Sequence, residues 1–169
     1  MNKIYLMVAA LFCSVTTKSQ TITADCTDLS GDCYYYTKEN IIVTNSQKTK
    51  GFTFSPAIRM NENKLECYGI FVNMINMGRC NEDNEMIILL ADSSTIMLKS
   101  SYKFNCKSNT FFYLTAYEMR ELRLQKILKV QLTNGYTFDS FQKSVPTNKQ
   151  DYFFRFFKEI DANIYTVKK

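Results

Sequence analysis

Histidine is absent from this 169-residue sequence, and so is tryptophan. Without histidine the chain cannot form a Ser-His-Asp or Cys-His nucleophile system, an HExxH zinc site or a histidine acid–base pair. Its six cysteines include no Cys-x-x-Cys spacing, which leaves zinc ribbons and thioredoxin-like redox chemistry without support. These absences favour a protein that is not an enzyme, and we predict no catalytic residue, no cofactor and no metal ligand.

Long apolar runs are also few, and the longest extends from Ile4 to Val15. Lys3 precedes this run, and small and polar residues follow it at 16–20. This is the layout of a secretory signal peptide, and about twelve apolar residues fall short of the roughly 20 that span a bilayer. We predict a signal peptide at residues 1–19, cleaved after Ser19. The glutamine that would then come first resembles the export signals of Bacteroidetes-type bacteria.

Clusters of basic residues are lacking as well. The formal net charge of +5 falls to +3 beyond residue 19, because Lys3 and Lys18 are removed without any acidic residue. Scattered charge of this size gives no support for nucleic-acid binding, and no later apolar run reaches membrane-spanning length. We expect a secreted or periplasmic chain with an unknown protein or glycan partner, no nucleic-acid partner and no stable membrane insertion.

Five cysteines remain beyond residue 19, and an exported chain is expected to use them in disulfides. Two bridges and one free thiol is the natural arrangement, although the pairing stays open. Cys26 and Cys33 flank a glycine turn and are the first favoured pair. Cys80 and Cys106 enclose a predicted hairpin and are the second pair. Cys67 lies within a predicted strand and is the expected free thiol.

The apolar pattern predicts a mainly β fold with two short helices (α+β). About seven to eight strands are expected in an antiparallel sandwich or open barrel, with the C-terminal helix packed on the sheet. Residues 20–50 are predicted to be an N-terminal extension that carries a disulfide. Residues 51–169 are predicted to be the β-rich domain.

Two strands carry informative residues. The strand over 52–59 contains Pro56, which predicts an edge position or a bulge because proline cannot donate to a ladder. The strand over 65–77 is apolar on both faces for much of its length, which predicts a central position. Gly69 within it predicts a bulge or the close approach of a neighbour.

Turn residues predict two hairpins. A two-residue loop at Asp92-Ser93 would place Leu89 opposite Ile96. The Asn134-Gly135 turn is predicted to be a three-residue loop over 133–135, with Gly135 left-handed and Leu132 opposite Tyr136.

Two capping boxes predict helices. The first, from Thr115 to Glu118, predicts a helix over 116–125. The second begins at Thr147 and predicts a helix to about residue 161. That helix has an apolar stripe at helical spacing, formed by Phe153, Phe156, Phe157 and Ile160.

Three surfaces are candidate contact sites: the tyrosine triplet Tyr34–Tyr36, the loop Arg79–Glu85 and the exposed side of the C-terminal helix. In the tyrosine triplet the alternatives are an exposed patch, or outer rings packed on the sheet with the middle ring facing water. On the C-terminal helix, Tyr152 and Phe154 lie off the apolar stripe and are expected to be exposed. The full candidate set is Tyr34, Tyr35, Tyr36, Arg79, Glu82, Asp83, Glu85, Tyr152 and Phe154. The carboxylates in it do not match an EF-hand spacing, and loop carboxylates are usually solvated.

The predicted elements follow one another in a distinctive order. A central strand is followed by the Cys80 loop, a hairpin, Phe104-Asn105-Cys106, a capped helix and an aromatic helix. In general layout it resembles short secreted proteins of Bacteroidetes-type bacteria with no characterised function. This resemblance implies secretion and carries over no functional residue. We therefore expect a secreted, non-enzymatic binding or interaction module; the alternative is a small extracellular hydrolase or an enzyme inhibitor.

Overall fold

A computed structural model describes residues 21–26, 32–61, 64–100 and 104–163. The predicted signal segment, residues 1–19, lies outside them. In chain order the elements are β1 (Ile22–Cys26), β2 (Asp32–Thr37), β3 (Ile41–Thr44), β4 (Gly51–Asn61), β5 (Lys64–Ile75), β6 (Glu85–Leu90), β7 (Thr95–Lys99), β8 (Asn109–Leu114), α1 (Ala116–Leu124), β9 (Ile127–Thr133), β10 (Ser140–Ser144), a 3₁₀ helix (Thr147–Lys149) and α2 (Tyr152–Asn163).

The strands form two antiparallel sheets around one apolar core. The six-stranded sheet has the order β1-β2-β4-β5-β8, with β3 also paired to β4, and the four-stranded sheet has the order β10-β9-β6-β7. The sheets do not close into a barrel within the described residues. The predicted class, mainly β with two helices, is confirmed. Strands β1 to β3, from the segment predicted to be an N-terminal extension, belong to the same sheet as β4 and β5.

Pro56 lies in a strand that has neighbours on both sides, so its predicted edge or bulge position is wrong. On one side β4 pairs continuously with β5 through this region. On the other side, β3 pairs with residues 51–54 and β2 with residues 57–61. Ser55 and Pro56 occupy the gap between those two partners, where no ladder bond requires a proline N–H.

The β6–β7 hairpin is shifted by one residue from the predicted register. Ile88, rather than Leu89, lies opposite Ile96. The loop has three residues, 91–93, instead of the predicted two, because the Leu90 N–H donates to the Ser94 carbonyl at 2.9 Å. Within this loop Ser93 adopts a left-handed φ of 72°. This register places the even-numbered apolar residues of β6 in the core.

The β9–β10 hairpin also differs from its prediction. Leu132 pairs with Phe141 rather than Tyr136, and the loop runs to Phe138, which has the left-handed φ of 59° expected of Gly135. Gly135 is needed for another reason: a Cβ there would lie 2.2 Å from the Glu82 carbonyl oxygen. The glycine therefore allows two loops to approach each other closely.

Helix α1 begins with the predicted capping box. The Thr115 hydroxyl accepts from the Glu118 N–H at 3.3 Å, and the Glu118 carboxylate accepts from the Thr115 N–H at 2.7 Å. The second predicted capping box is wrong. Thr147 opens a 3₁₀ turn that has no side-chain cap, and α2 begins only at Tyr152.

Tyr152 is fully buried, which corrects the prediction that it is exposed. The later start of α2 places it beside Phe153 at the base of the apolar stripe. Its hydroxyl donates to the Glu39 carbonyl and hydrogen-bonds the Thr37 hydroxyl. Tyr152 therefore ties α2 to the end of β2.

Helix α2 covers the core side of the six-stranded sheet, as predicted. The Phe153 ring stacks on Phe54 with 6.2 Å between centroids, and Phe157 meets Tyr68 edge-on at 5.7 Å. Arg123 of α1 lies 4.9 Å from the Phe157 ring centroid and pairs with Asp161 through two hydrogen bonds. These contacts fix both helices against the core.

Stability should fall at alkaline pH because of Tyr152. Burial raises the pKa of Tyr152 to about 12, whereas an unfolded tyrosine ionises near pH 10. Between these values the unfolded chain has lost the phenolic proton and the native chain keeps it, so the free energy of unfolding falls as pH rises. A shift of this size corresponds to about 3 kcal/mol.

Urea unfolding of the wild type, Tyr152→Phe and Tyr117→Phe from pH 8 to 11.5 measures this effect. Tyr152→Phe should lose less stability over that range than the wild type. Tyr117 is exposed, so Tyr117→Phe should follow the wild type. An equal alkaline loss in all three proteins would contradict the assignment.

Candidate functional site

The six-stranded sheet carries a groove on the face that points away from the core. It has a volume of about 350 Å³. The lining residues, which define the aromatic groove, are Tyr34, Tyr36, Asn40, Ser55, Ala57, Phe71, Asn73 and Phe111. They come from four strands and one loop, so only the folded sheet brings them together.

The tyrosine triplet contributes two of its three rings to this groove. Tyr35 pairs with Ile58 and packs against the core. Because side chains alternate along a strand, Tyr34 and Tyr36 point to the opposite face. The alternative in which the middle ring faces water is therefore wrong: the middle ring faces the core, and its neighbours line the groove.

Small residues in the two central strands create the depression. In one cross-strand row, Tyr36 lies opposite Ala57, Ala57 opposite Gly69, and Gly69 opposite Tyr113. Neither alanine nor glycine fills the space between the two tyrosines. The space above Ala57 stays open and forms part of the groove, whereas the Phe111 ring occupies the space above Gly69.

Phe111 forms one wall by leaning over Gly69. A Cβ at position 69 would lie 2.2 Å from the Phe111 ring, which confirms the predicted close approach at this glycine. The ring also meets Tyr34 and Tyr113 edge-on, with centroids 6.2 and 5.2 Å away. These contacts hold the wall in place.

Polar groups in the groove lack protein partners. The Ser55 hydroxyl lies on the floor, in a residue that is only 2% exposed, and makes no hydrogen bond within the described chain. The Tyr36 hydroxyl and the side-chain amides of the exposed residues Asn40 and Asn73 also make no hydrogen bond within the described chain. The Ser55 hydroxyl is not one of the buried side-chain atoms without a partner in the described chain, so it opens onto the groove and is available to a ligand or water.

The groove has no charged lining residue. Arg59 lies beside it, with its guanidinium carbon 5.9 Å from the Tyr34 ring centroid, and pairs with Glu66 at 2.9 Å. Cys67 lies opposite Arg59 in the ladder and is a free thiol. Burial raises the pKa of Cys67, and Arg59 only partly opposes that rise. The thiol is therefore not activated as a nucleophile.

Chemically, the groove can stack rings and exchange hydrogen bonds with a ligand. Ser55 has no neighbouring base among the lining residues, and the lining contains no carboxylate.

The other predicted contact residues lie outside the aromatic groove. Arg79 and Asp83 are exposed, and Glu82 and Glu85 are half-buried, in and after the loop that precedes β6. Phe154 is exposed on α2, as predicted. No group of three or more acidic or cysteine side chains is placed to hold a metal ion in the part of the chain that the structure describes.

Of the two predicted disulfides, one has both of its cysteine side chains in the described part of the structure. Cys80 and Cys106 are joined, which confirms that prediction. Cys33 is disulfide-bonded, and Cys26 lies opposite it in the β1–β2 register. The side chain of Cys26 is outside the described part of the structure.

Six groove residues are not among the candidates that the sequence singles out: Asn40, Ser55, Ala57, Phe71, Asn73 and Phe111. The signal that could have found two of them is the alternation of β4, which assigns Ser55 and Ala57 to the face opposite Phe54 and Ile58.

Among the described residues, no helix combines the length and apolar character needed to cross a membrane. Comparison with protein families, curated protein sequences and solved structures finds no match to this chain.

Proposed function

We propose that the protein is a secreted or periplasmic binding module without enzymatic activity, and that the aromatic groove is its ligand site. The observation that carries the proposal is the set of unpartnered polar groups within an uncharged aromatic depression. Ligand sites commonly combine apolar walls with a few polar groups that fix orientation. A volume of about 350 Å³ lies near the lower end of the roughly 300–1,000 Å³ range of such sites.

Disulfide bonding supports a location outside the cytoplasm. Cys80 and Cys106 are joined, and Cys33 is bonded as well. Disulfides of this structural kind persist in oxidising compartments and are rare where thiols are kept reduced. A binding module there meets its ligand outside the cell membrane.

The hydrolase alternative lacks the groups that it would need in the groove. Hydrolases most often activate a water or nucleophile with a histidine, a carboxylate or a lysine, and the ionisable groups among the lining residues are tyrosines alone. The same lining suits reversible binding, because rings and neutral amides form contacts without breaking bonds.

Ligand-observed NMR with neutral fragments tests the groove as a binding site. The panel should contain monosaccharides, aromatic amides and proline dipeptides. Fragments that bind the wild type should lose at least about tenfold in affinity to Phe71→Ala, because a stacking ring at the site is removed. Ile42→Ala, on the same face but outside the groove, is the matched control and should bind normally. Equal binding to both variants, or no binding at all, would refute the proposal.

A further inference from the structure

We infer that the ligand of the aromatic groove is a neutral saccharide, an inference that rests on the proposed binding function. The saccharide inference requires that the groove suit a molecule that is uncharged, rich in hydroxyls and apolar on its ring faces. Each of these three properties corresponds to a separate feature of the lining.

The charge of the ligand follows from the residues present. An anionic ligand would need lysine or arginine in the lining, and a cationic one would need carboxylates or an open aromatic cage. The lining contains none of these charged residues. Arg59, the charged neighbour, already pairs with Glu66 at 2.9 Å and stands over the Tyr34 ring. An anion would therefore enter this groove without a compensating charge, and a cation would meet aromatic rings but no carboxylate.

The hydrogen-bonding groups match hydroxyls. Asn40 and Asn73 each offer a donor and an acceptor, and the hydroxyls of Ser55 and Tyr36 can do either. A sugar hydroxyl also both donates and accepts, so each of these groups can find a partner on a saccharide. The Ser55 hydroxyl belongs to the most deeply buried polar residue of the lining, so a sugar hydroxyl that reached it would form a hydrogen bond shielded from water.

The aromatic walls match the C–H faces of sugar rings. Tyr36 and Phe71 are half-buried, so part of each ring remains open to the groove. A flat, weakly polar C–H surface covers such a ring without desolvating any charge. Ala57 lies opposite Tyr36 in the ladder and leaves room beside that ring, which suits a sugar ring stacked on it.

A polypeptide ligand fits less well. The groove lies on the face of the sheet, above β4 and β5, which along the groove are paired with strands on both sides except at Ser55 and Pro56, where β4 is paired with β5 alone. An extended peptide gains affinity by adding a strand to a free edge, and the groove offers no such edge. A proline-rich peptide could still contact the rings, and the experiment therefore includes one.

Isothermal titration calorimetry and saturation-transfer NMR with defined probes test the inference. The probes are cellotriose, maltotriose, mannotriose, chitotriose, a trimer of galacturonic acid and an uncharged proline-rich decapeptide. At least one neutral trisaccharide should bind, and the uronic acid trimer and the peptide should bind more weakly. Asn73→Leu and Ser55→Ala remove hydrogen-bonding groups while keeping similar volumes; each should weaken sugar binding about tenfold. Tyr117→Phe, on α1 and outside the groove lining, is the matched control and should retain binding.

The outcomes separate the saccharide inference from the binding function. Sugar binding that is lost with Asn73→Leu and kept with Tyr117→Phe supports both. Binding of the peptide or of apolar fragments, lost with Phe71→Ala but with no neutral trisaccharide bound, overturns the saccharide inference and leaves the binding function standing. Sugar binding that survives Asn73→Leu, Ser55→Ala and Phe71→Ala together overturns the inference, because the sugar then binds elsewhere. Failure of every probe and fragment to bind the wild type overturns both.

Discussion

Asn134→Asp is expected to lower the free energy of unfolding by about 4 kcal/mol at neutral pH, because it removes a donor from two buried carbonyls. The Asn134 side chain is fully buried. Its Nδ2 donates to the carbonyls of Met77 and Cys80, both at 2.8 Å. Its Oδ1 accepts from the N–H groups of Tyr136 and Thr137 at 2.9 and 3.1 Å. One side chain thus joins the loop after β5 to the β9–β10 turn.

The penalty should depend on pH in a defined direction. Burial and the two carbonyls disfavour the ionised form of the introduced carboxyl, so its folded-state pKa is raised above the unfolded value near 4. The protonated acid keeps one donor. Stability is therefore retained below the unfolded pKa and lost as pH rises through the folded pKa. Asn134→Ala removes all four hydrogen bonds without adding an acid, so its penalty should not change with pH in this range.

Urea unfolding at pH 3.5 and pH 7, each variant compared with the wild type at the same pH, measures the difference. Asn148→Asp adds the same acid at an exposed position of the 3₁₀ turn and is the control. It should change stability by less than about 0.5 kcal/mol. A penalty for Asn134→Asp below about 1 kcal/mol, or one equal at both pH values, would show that the two hydrogen bonds donated by Nδ2 do not hold the loops together.

Elements whose signals are local can be predicted from the sequence. The capping box of α1 needs only residues 115–118, which are adjacent in the chain. The central position of β5 follows from its apolar character on both faces. In both cases the information lies within the element itself, so no knowledge of its neighbours is required.

Strand register cannot be predicted in the same way. Ser93 and Phe138 adopt left-handed φ values of 72° and 59°, a conformation usually expected of glycine or asparagine. The residues of each turn therefore offer no local reason to lengthen it. Tertiary contacts favour the longer loops: Asn134 anchors one turn, and the packing of Ile88 opposite Ile96 fixes the other.

The candidate site depends on pairing between distant segments. The alternation of β2 is evident in the sequence, but only its ladder with β4 decides that Tyr35, rather than Tyr34 and Tyr36, faces the core. Phe111 comes from β8, which follows the β6–β7 hairpin of the other sheet in the chain. A groove assembled across β2, β4, β5 and β8 has no contiguous motif, which is why only its tyrosines stand out in the sequence.

Removing the Cys80–Cys106 disulfide is expected to lower the free energy of unfolding by about 3.5 kcal/mol. The bridge joins residues separated by 26 positions in the chain, and it acts mainly by restricting the unfolded state. The native loops have other contacts: Asn81 and Asn105 exchange two backbone hydrogen bonds at 2.8 and 3.0 Å. The double variant Cys80→Ser/Cys106→Ser should therefore keep its native fold while its unfolded state expands.

An expanded unfolded state gives a second signature, which separates loss of the cross-link from loss of native contacts. The dependence of unfolding free energy on urea should become steeper, because more surface is exposed on unfolding. Cys67→Ser changes a free, half-buried thiol and opens no loop, so it should leave that slope unchanged. A double variant that loses stability with no change in slope would indicate that the disulfide stabilises the folded loops directly. Asn81 and Asn105 would then depend on it for their pairing.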